Sequence, residues 1–199
     1  MFDLLRSHIK QRIDITEKEF ILCSQFFSSQ RVRKHQFLLQ QGEVCRHLAF
    51  VNGGCLREYT VDHKGEEHVI QFAIRDWWIA DLASFLGGSP STEYIDALQD
   101  SEVLTLERES REKMLQAVPQ MERFFRLLVE KNYVTTRNRI KEALSESAED
   151  RYLSFLREYP SLVQNVPQHD IASYLGITPQ SLSRIRKGLI QNPKGSPLP

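Results

Sequence analysis

The chain has 199 residues, and 26 Lys plus Arg are matched by 26 Asp plus Glu, so its formal charge is zero. That balance excludes a diffusely basic nucleic-acid coat, so any contact with a polyanion must come from a local patch. No apolar run approaches the length of a membrane-spanning helix, and the length suits one large domain or two modest ones.

At the start, Asp3, Arg6 and His8 interrupt the apolar residues, so the first ten residues do not read as a secretory signal and a cytoplasmic protein is expected. Thr16 with Glu19 three residues on forms a capping box, followed by Phe20, Ile21, Phe26 and Phe27, which predicts an N-terminal helix. Cys23, Cys45 and Cys55 are an odd set without paired metal-ligand spacing. Reduced, buried or semi-buried thiols are the expectation, with no metal site.

From Val32 to about Leu106 short apolar segments alternate with turn signals. They fall at 37–39, 48–51, 56–61 and 68–74, separated by Gln41-Gly42-Glu43, Asn52-Gly53-Gly54 and Asp62-His63-Lys64-Gly65. After a compact insert between Trp77 and Ser91, residues 94–98 and 103–106 read as returning strands. Regularly spaced short strands predict an antiparallel barrel, sandwich or jelly roll. Beyond Glu107 the period is helical. A long helix is expected over about 119–144, carrying Met121, Phe125 and Leu128 and then Tyr133 or Val134, Ile140 and Leu144. That is more apolar surface than one seam needs, which points to packing on the β-domain and on a second copy of the helix. Ser147 caps a further helix with Asp150 at its third position, and Ser145-Glu146-Ser147 marks a hinge.

Residues 167–189 then read as two short helices around a tight turn. Ile171, Ala172 and Leu175 give the first stripe, Gly176 stops it, Thr178 caps the next helix with Pro179 at its first position, and Leu182, Ile185 and Leu189 give the second stripe. This is a helix-turn-helix pattern, whose second helix enters the major groove of DNA. With that stripe buried, Gln180, Ser181, Arg184 and either Lys187 or Gly188 face outward. Gln and Arg suit base edges, while Ser and Lys more often meet phosphate. From Thr178 onward the charged residues are Arg184, Arg186, Lys187 and Lys194, with no Asp or Glu. The candidate DNA-contacting set is Thr178, Gln180, Ser181, Arg184 and Lys187; an ordinary helical hairpin with a solvated basic face is the alternative.

Helix, β-roll, long helix and helix-turn-helix, in that order, resemble the CRP/FNR (cyclic-AMP receptor protein/FNR) family of bacterial transcription regulators over nearly the whole chain. The local matches are Leu38 to Glu43, Gly53 with Gly54, Asp62 to Glu66, and Gln168 to Arg184. The wording from Gly176 to Arg184 looks like the Bacteroidetes-type branch. The resemblance implies an α+β chain with an effector-sensing double-stranded β-roll at 1–118, a dimerisation helix and hinge at 119–146, and a helix-turn-helix domain at 147–199. It implies a homodimer on double-stranded DNA, with RNA polymerase as a further partner, no membrane and no catalysis.

The effector pocket departs from the family pattern. The segment that offers carboxylate and backbone N–H groups to a cyclic nucleotide corresponds to Ala80-Asp81-Leu82, and the phosphate-holding Arg-Ser or Arg-Thr pair to Ser91-Thr92. Ser91 therefore stands where the arginine should be, a loss of roughly 1.5–3 kcal/mol of charge-assisted phosphate contact. Thr136 on the long helix falls where the family reads the base, beside Arg137, a substitute cation if it turns inward. The effector is left open, with a vestigial or repurposed pocket set against a working cyclic-nucleotide site. Three scattered cysteines do not supply the four ligands of an iron–sulfur cluster. His35, His47, His63 and His68 are the histidines available to a haem. Pro179 also replaces a base-contacting side chain common in the family, and the ten residues after Leu189 leave a short wing or none, with a Pro-rich, poorly ordered tail after Gln191. Two other classes stay in view: a cyclic-nucleotide-binding-like module acting through protein contacts, and a cupin-like barrel enzyme. The second lacks a His-x-His pair; His63 and His68 with Glu66 or Glu67 are its nearest approach.

Overall fold

The computed structural model describes residues 1–191; the expectations for the tail and the wing concern residues 192–199 and lie outside the described residues. Two helices open the chain, α1 (Asp3–Lys10) and α2 (Glu17–Ser24). The first was not legible from the mixed composition of its residues. It forms because Leu5, His8 and Ile9 recur at helical spacing on one buried face, with Asp3 in its first turn and Lys10 in its last. The second begins at the capping box, where Glu19 N–H donates to Thr16 Oγ1 at 3.3 Å and Thr16 N–H donates to Glu19 Oε2 at 2.8 Å.

Eight strands follow: β1 (Phe27–Val32), β2 (Phe37–Leu39), β3 (His47–Gly53), β4 (Cys55–Val61), β5 (Glu67–Ile74), β6 (Trp78–Ile79), β7 (Tyr94–Ala97) and β8 (Ser101–Glu107). They form two four-stranded sheets of order β1-β8-β3-β6 and β2-β7-β4-β5, a jelly-roll arrangement. Strands β1 and β6 were missed in the sequence. The Ser28-Ser29-Gln30-Arg31 interior of β1 is exposed throughout and shows no alternation, yet it pairs residue for residue with β8. Strand β6 has two residues, too few for any period. Between β6 and β7 lies α3 (Leu82–Gly87).

Behind the strands come α4 (Arg108–Ala117), α5 (Gln120–Ser145), α6 (Ala148–Glu158), α7 (Pro160–Asn165), α8 (Gln168–Tyr174) and α9 (Pro179–Gln191). Ser147 caps α6 by accepting from Asp150 N–H at 3.1 Å. The described residues pack as two compact units. One holds Met1–Thr60 with Ile70–Asn132; the other holds Val61–Val69 with the chain from Tyr133 onward. None of the described helices is long and apolar enough to cross a membrane.

The first unit is organised around rings. Trp78 meets Phe27, Phe50, Phe124 and Phe125 with centroids 5.3 to 6.2 Å apart. Such pairs contribute about 0.5–1.5 kcal/mol each beyond the area they bury. Into this cluster α1 inserts His8, almost fully buried against Phe50 and Phe124. Trp78 Nε1 donates to His8 Nε2 at 3.3 Å, so that nitrogen is unprotonated and Nδ1 carries the hydrogen toward Asp76 Oδ1 at 2.8 Å. Burial lowers the His8 pKa, with Arg12 adding to the effect and Asp76 opposing it.

A histidine held neutral contributes stability above its unfolded pKa, and that contribution is lost as pH falls through the folded one. The first unit is therefore expected to lose stability progressively below about pH 6.5, by up to about 1.4 kcal/mol per pH unit from this residue. Thermal melts followed by Trp fluorescence between pH 7.5 and 5 check this; a melting profile identical in His8→Gln and the parent would refute the assignment.

Candidate nucleic-acid interface and effector pocket

In the second unit, α8 ends as the Gly176 signal predicts. Gly176 takes a left-handed φ of +66°, its N–H donates to Ser173 O at 3.0 Å, and Ile177 N–H donates to Ala172 O at 3.0 Å. This paired closure fixes the direction in which the chain leaves the helix. Pro167 is the N-cap of α8, with an extended ψ of 143°. Thr178 then caps α9, accepting from Ser181 N–H at 3.1 Å, with the two hydroxyls 2.9 Å apart. Ile171, Ala172, Leu175, Leu182 and Leu189 are buried, and Ile185 is half-buried.

The same packing decides what α9 shows to solvent. Gln180, Arg184 and Lys187 are exposed, as is Thr178. Ser181 is half-buried, its amide and hydroxyl both engaged with Thr178, so it serves the cap. Ser183 is exposed three residues after Gln180 and four before Lys187, which puts it on their face; that spacing was the available signal, and the sequence reading passed over it. Arg186 is exposed too, and its charge opposes the upward push that burial gives the Tyr152 phenol of α6. The hairpin tip between β4 and β5 belongs to this unit too. There Ser173 Oγ donates to Glu67 O and accepts from Val69 N–H, both at 2.9 Å.

The effector-pocket residues divide between the units. Thr136 and Arg137 are exposed on α5, in the second unit. Ala80, Asp81, Leu82, Ser91 and Thr92 belong to the first. Asp81 is buried and spends Oδ1 as the N-cap of α3, accepting from Ser84 N–H at 2.9 Å. Ser91 is buried as well, with its Oγ accepting from Glu93 N–H at 2.9 Å and its own N–H donating to Glu43 O at 2.7 Å. Thr92 is exposed.

Beside them stand two acids that the sequence reading did not single out, Glu58 and Glu93. Glu58 is 3% exposed. Its pKa is raised well above the glutamate range by burial first, then by the charge of Glu93, a hydrogen bond with Glu93 and the charge of Asp81. Glu93 is half-buried; burial and the Asp81 charge raise its pKa, and the hydrogen bond from Glu58 opposes them. Glu58 thus keeps its proton and donates it to the Glu93 carboxylate. No alternation rule would have marked Glu58, because a glutamate within a strand reads as its solvent face.

A cyclic nucleotide does not fit these residues. Its phosphate would need a cation and unspent N–H donors. Instead Ser91 occupies the arginine position with both its hydroxyl and its amide in use, and the neighbouring side chains Glu58, Glu93 and Asp81 carry acid. Like charges in a sheltered site repel more strongly than in water. All three cysteines are buried, and burial pushes the Cys23 thiol up to about 12 and the Cys45 thiol up to about 11. The histidines weighed as metal ligands do not gather in the roll. His68 pairs with Asp62 at 3.1 Å on the exposed β4–β5 hairpin, and His47 lies 3.4 Å from Glu107.

The cyclic nucleotide-binding domain family matches residues 29–118, from β1 to the end of α4. The fumarate and nitrate reduction regulatory protein of Vibrio cholerae is similar at 22% identity over 167 residues, which cover 77% of this chain and 65% of that protein, just under two thirds of its length. Among solved structures, FixK2 from Bradyrhizobium japonicum superposes with a TM-score of 0.73 at 18% identity, covering 85% of this chain and 89% of that one. The catabolite activator protein of Thermus thermophilus does so with a TM-score of 0.58 at 18% identity, covering 93% and 88%. The likeness in fold does not stop at residue 118 but continues through the helices that follow in the chain.

Proposed function

We propose that this chain is a homodimeric, DNA-binding transcription regulator whose roll senses a small effector and whose helix α9 reads the major groove. The carrying observation is the two-sidedness of α9. Its apolar stripe is buried, while Gln180, Ser183, Arg184 and Lys187 face solvent on a segment that contains no acidic residue from Thr178 onward. The similar proteins that are named as regulators support the reading. So does α5: Val129, Tyr133, Val134, Ile140 and Leu144 are 47 to 84% exposed along one helix, a cost in water that a second copy would remove. In this reading residues 1–118 sense, 119–146 pair and hinge, and 147–199 bind the duplex. Two recognition helices then meet successive major grooves about 34 Å apart. RNA polymerase is the further partner that a regulator of this kind would engage, and the cytoplasm is where it would work.

Within this reading Arg184 contacts a base edge and Lys187 a phosphate. Arg184→Ala is expected to cost roughly 1–3 kcal/mol and to relax sequence preference at one position per half-site. Lys187→Ala is expected to weaken binding to all sequences alike and to flatten the salt dependence. Fluorescence anisotropy on duplexes selected from a random pool, at several salt concentrations, checks both. Salt-independent binding, or none to any duplex, would favour a module acting through protein contacts.

The paired helix makes its own prediction. Replacing Ile140 and Leu144 together by Glu places like charges along the seam and is expected to raise the dimer dissociation constant at least tenfold. Analytical ultracentrifugation measures it; an unaltered dimer would place the seam elsewhere.

A further inference from the structure

Alternation along β4 turns Leu56 and Glu58 to one face, and their partners on β7 are Ala97 and Ile95. Leu56, Ile95 and Ala97 are core residues, so this face is the interior of the roll. Ile95 and Cys45 also line a cavity of about 430 Å³, whose charged lining is Glu43 and Arg46, both exposed to solvent. Glu58 projects toward that interior and, with Asp81, lies near enough to the Cys45 thiol to add to the upward push that burial gives it. Its Oε1 is buried without a hydrogen-bond partner. An unpaired buried acceptor destabilises the fold, and a native structure that keeps one calls for an explanation.

We infer that the roll binds a small organic cation whose ammonium, amidinium or guanidinium N–H groups are held by Glu58 Oε1 and the Glu93 carboxylate. This rests on reading the roll as the sensing module of the regulator, but not on DNA binding. An N–H-rich cation supplies both things the site lacks: a donor for the orphan oxygen and positive charge beside Glu93 and Asp81. An anion supplies neither, and a neutral polyol supplies only the donor. A bare metal ion needs oxygens that converge. Among the described residues, the group of three that brings ligand atoms within 4.8 Å of one another is Asp62, Glu66 and His68, out on the hairpin. The cavity, which meets this face at Ile95, the residue paired with Glu58, falls in the size range of small-molecule sites.

The groups facing Glu58 are Glu93, Asp81 and the Cys45 thiol. When the cation takes over the hydrogen bonds, the proton shared between Glu58 and Glu93 leaves to solvent, and the ligand's charge replaces it. Calorimetric titration of the full chain with putrescine, agmatine and spermidine, with cyclic AMP and Mg²⁺ as comparators, tests the inference. At least one amine is expected to bind saturably, with up to one proton released per ligand, read from the dependence of the heat on the buffer's ionisation enthalpy. Glu58→Gln is expected to weaken that binding at least tenfold. Three results would each overturn the inference: no saturable heat from any amine, amine binding unchanged by Glu58→Gln, or cyclic AMP or Mg²⁺ as the sole ligand sensitive to that substitution.

The same variant reports on folding. A buried acid whose pKa is raised stabilises below its unfolded value near 4.5 and loses that contribution as pH rises. The Tm of Glu58→Gln relative to the parent is therefore expected to climb between pH 5 and pH 8. Should Glu58→Gln fail to fold, Glu93→Gln carries the same binding expectation. None of these measurements involves DNA, so a failure of the regulator reading and a failure of this one remain separate outcomes.

Discussion

The register of β4 against β7 governs what the roll can be. Pairing Arg57 with Asp96 and Tyr59 with Tyr94 places both pairs on one face, and it commits Leu56 and Glu58 to the other. Two interactions hold it there. Arg57 Nε and Nη2 reach the two oxygens of Asp96 at 2.9 and 3.2 Å, and the rings of Tyr59 and Tyr94 stack at 5.2 Å. The Arg57 guanidinium lies over the Tyr59 ring, 4.3 Å from its centroid. Since Arg57 and Asp96 are both buried, parting them would leave an uncompensated charge, a cost of about 3–5 kcal/mol. A slip of one residue would exchange Arg57 and Glu58 between the faces. The acid inside the roll is thus a consequence of the ion pair on its other face.

The second constraint is the ring cluster around Trp78. It draws together a strand of the roll, the first helix through His8 and the start of α5 through Phe124 and Phe125. A close-packed interior transmits displacement rather than absorbing it. Any rearrangement of the roll that moves Trp78 must therefore be met by Phe124 and Phe125 at the start of α5.

At the other end the work is local. The left-handed Gly176 and the Thr178 cap set the angle between α8 and α9 with a few hydrogen bonds and no disulfide or metal. The buried stripes on both helices then leave α9 with one apolar side and one polar side. These are short-range devices, and short-range devices were readable. The capping box at Thr16, the Ser147 cap, the six alternating strands and the hairpin of helices all rest on neighbours within a few residues, and each was legible in the chain.

The sequence by itself determined the order of the parts, the place of the turn at Gly176, and the absence of an arginine at Ser91, because these depend on residue type at a fixed local spacing. It did not reveal β1, whose polar interior gains its place only by pairing with β8, or α1, whose His8 makes sense only against Trp78. Nor could it mark Glu58 as an interior acid. Which face of β4 is inside depends on the partner strand and on a buried ion pair some forty residues apart in the chain, and only the closed roll brings them together.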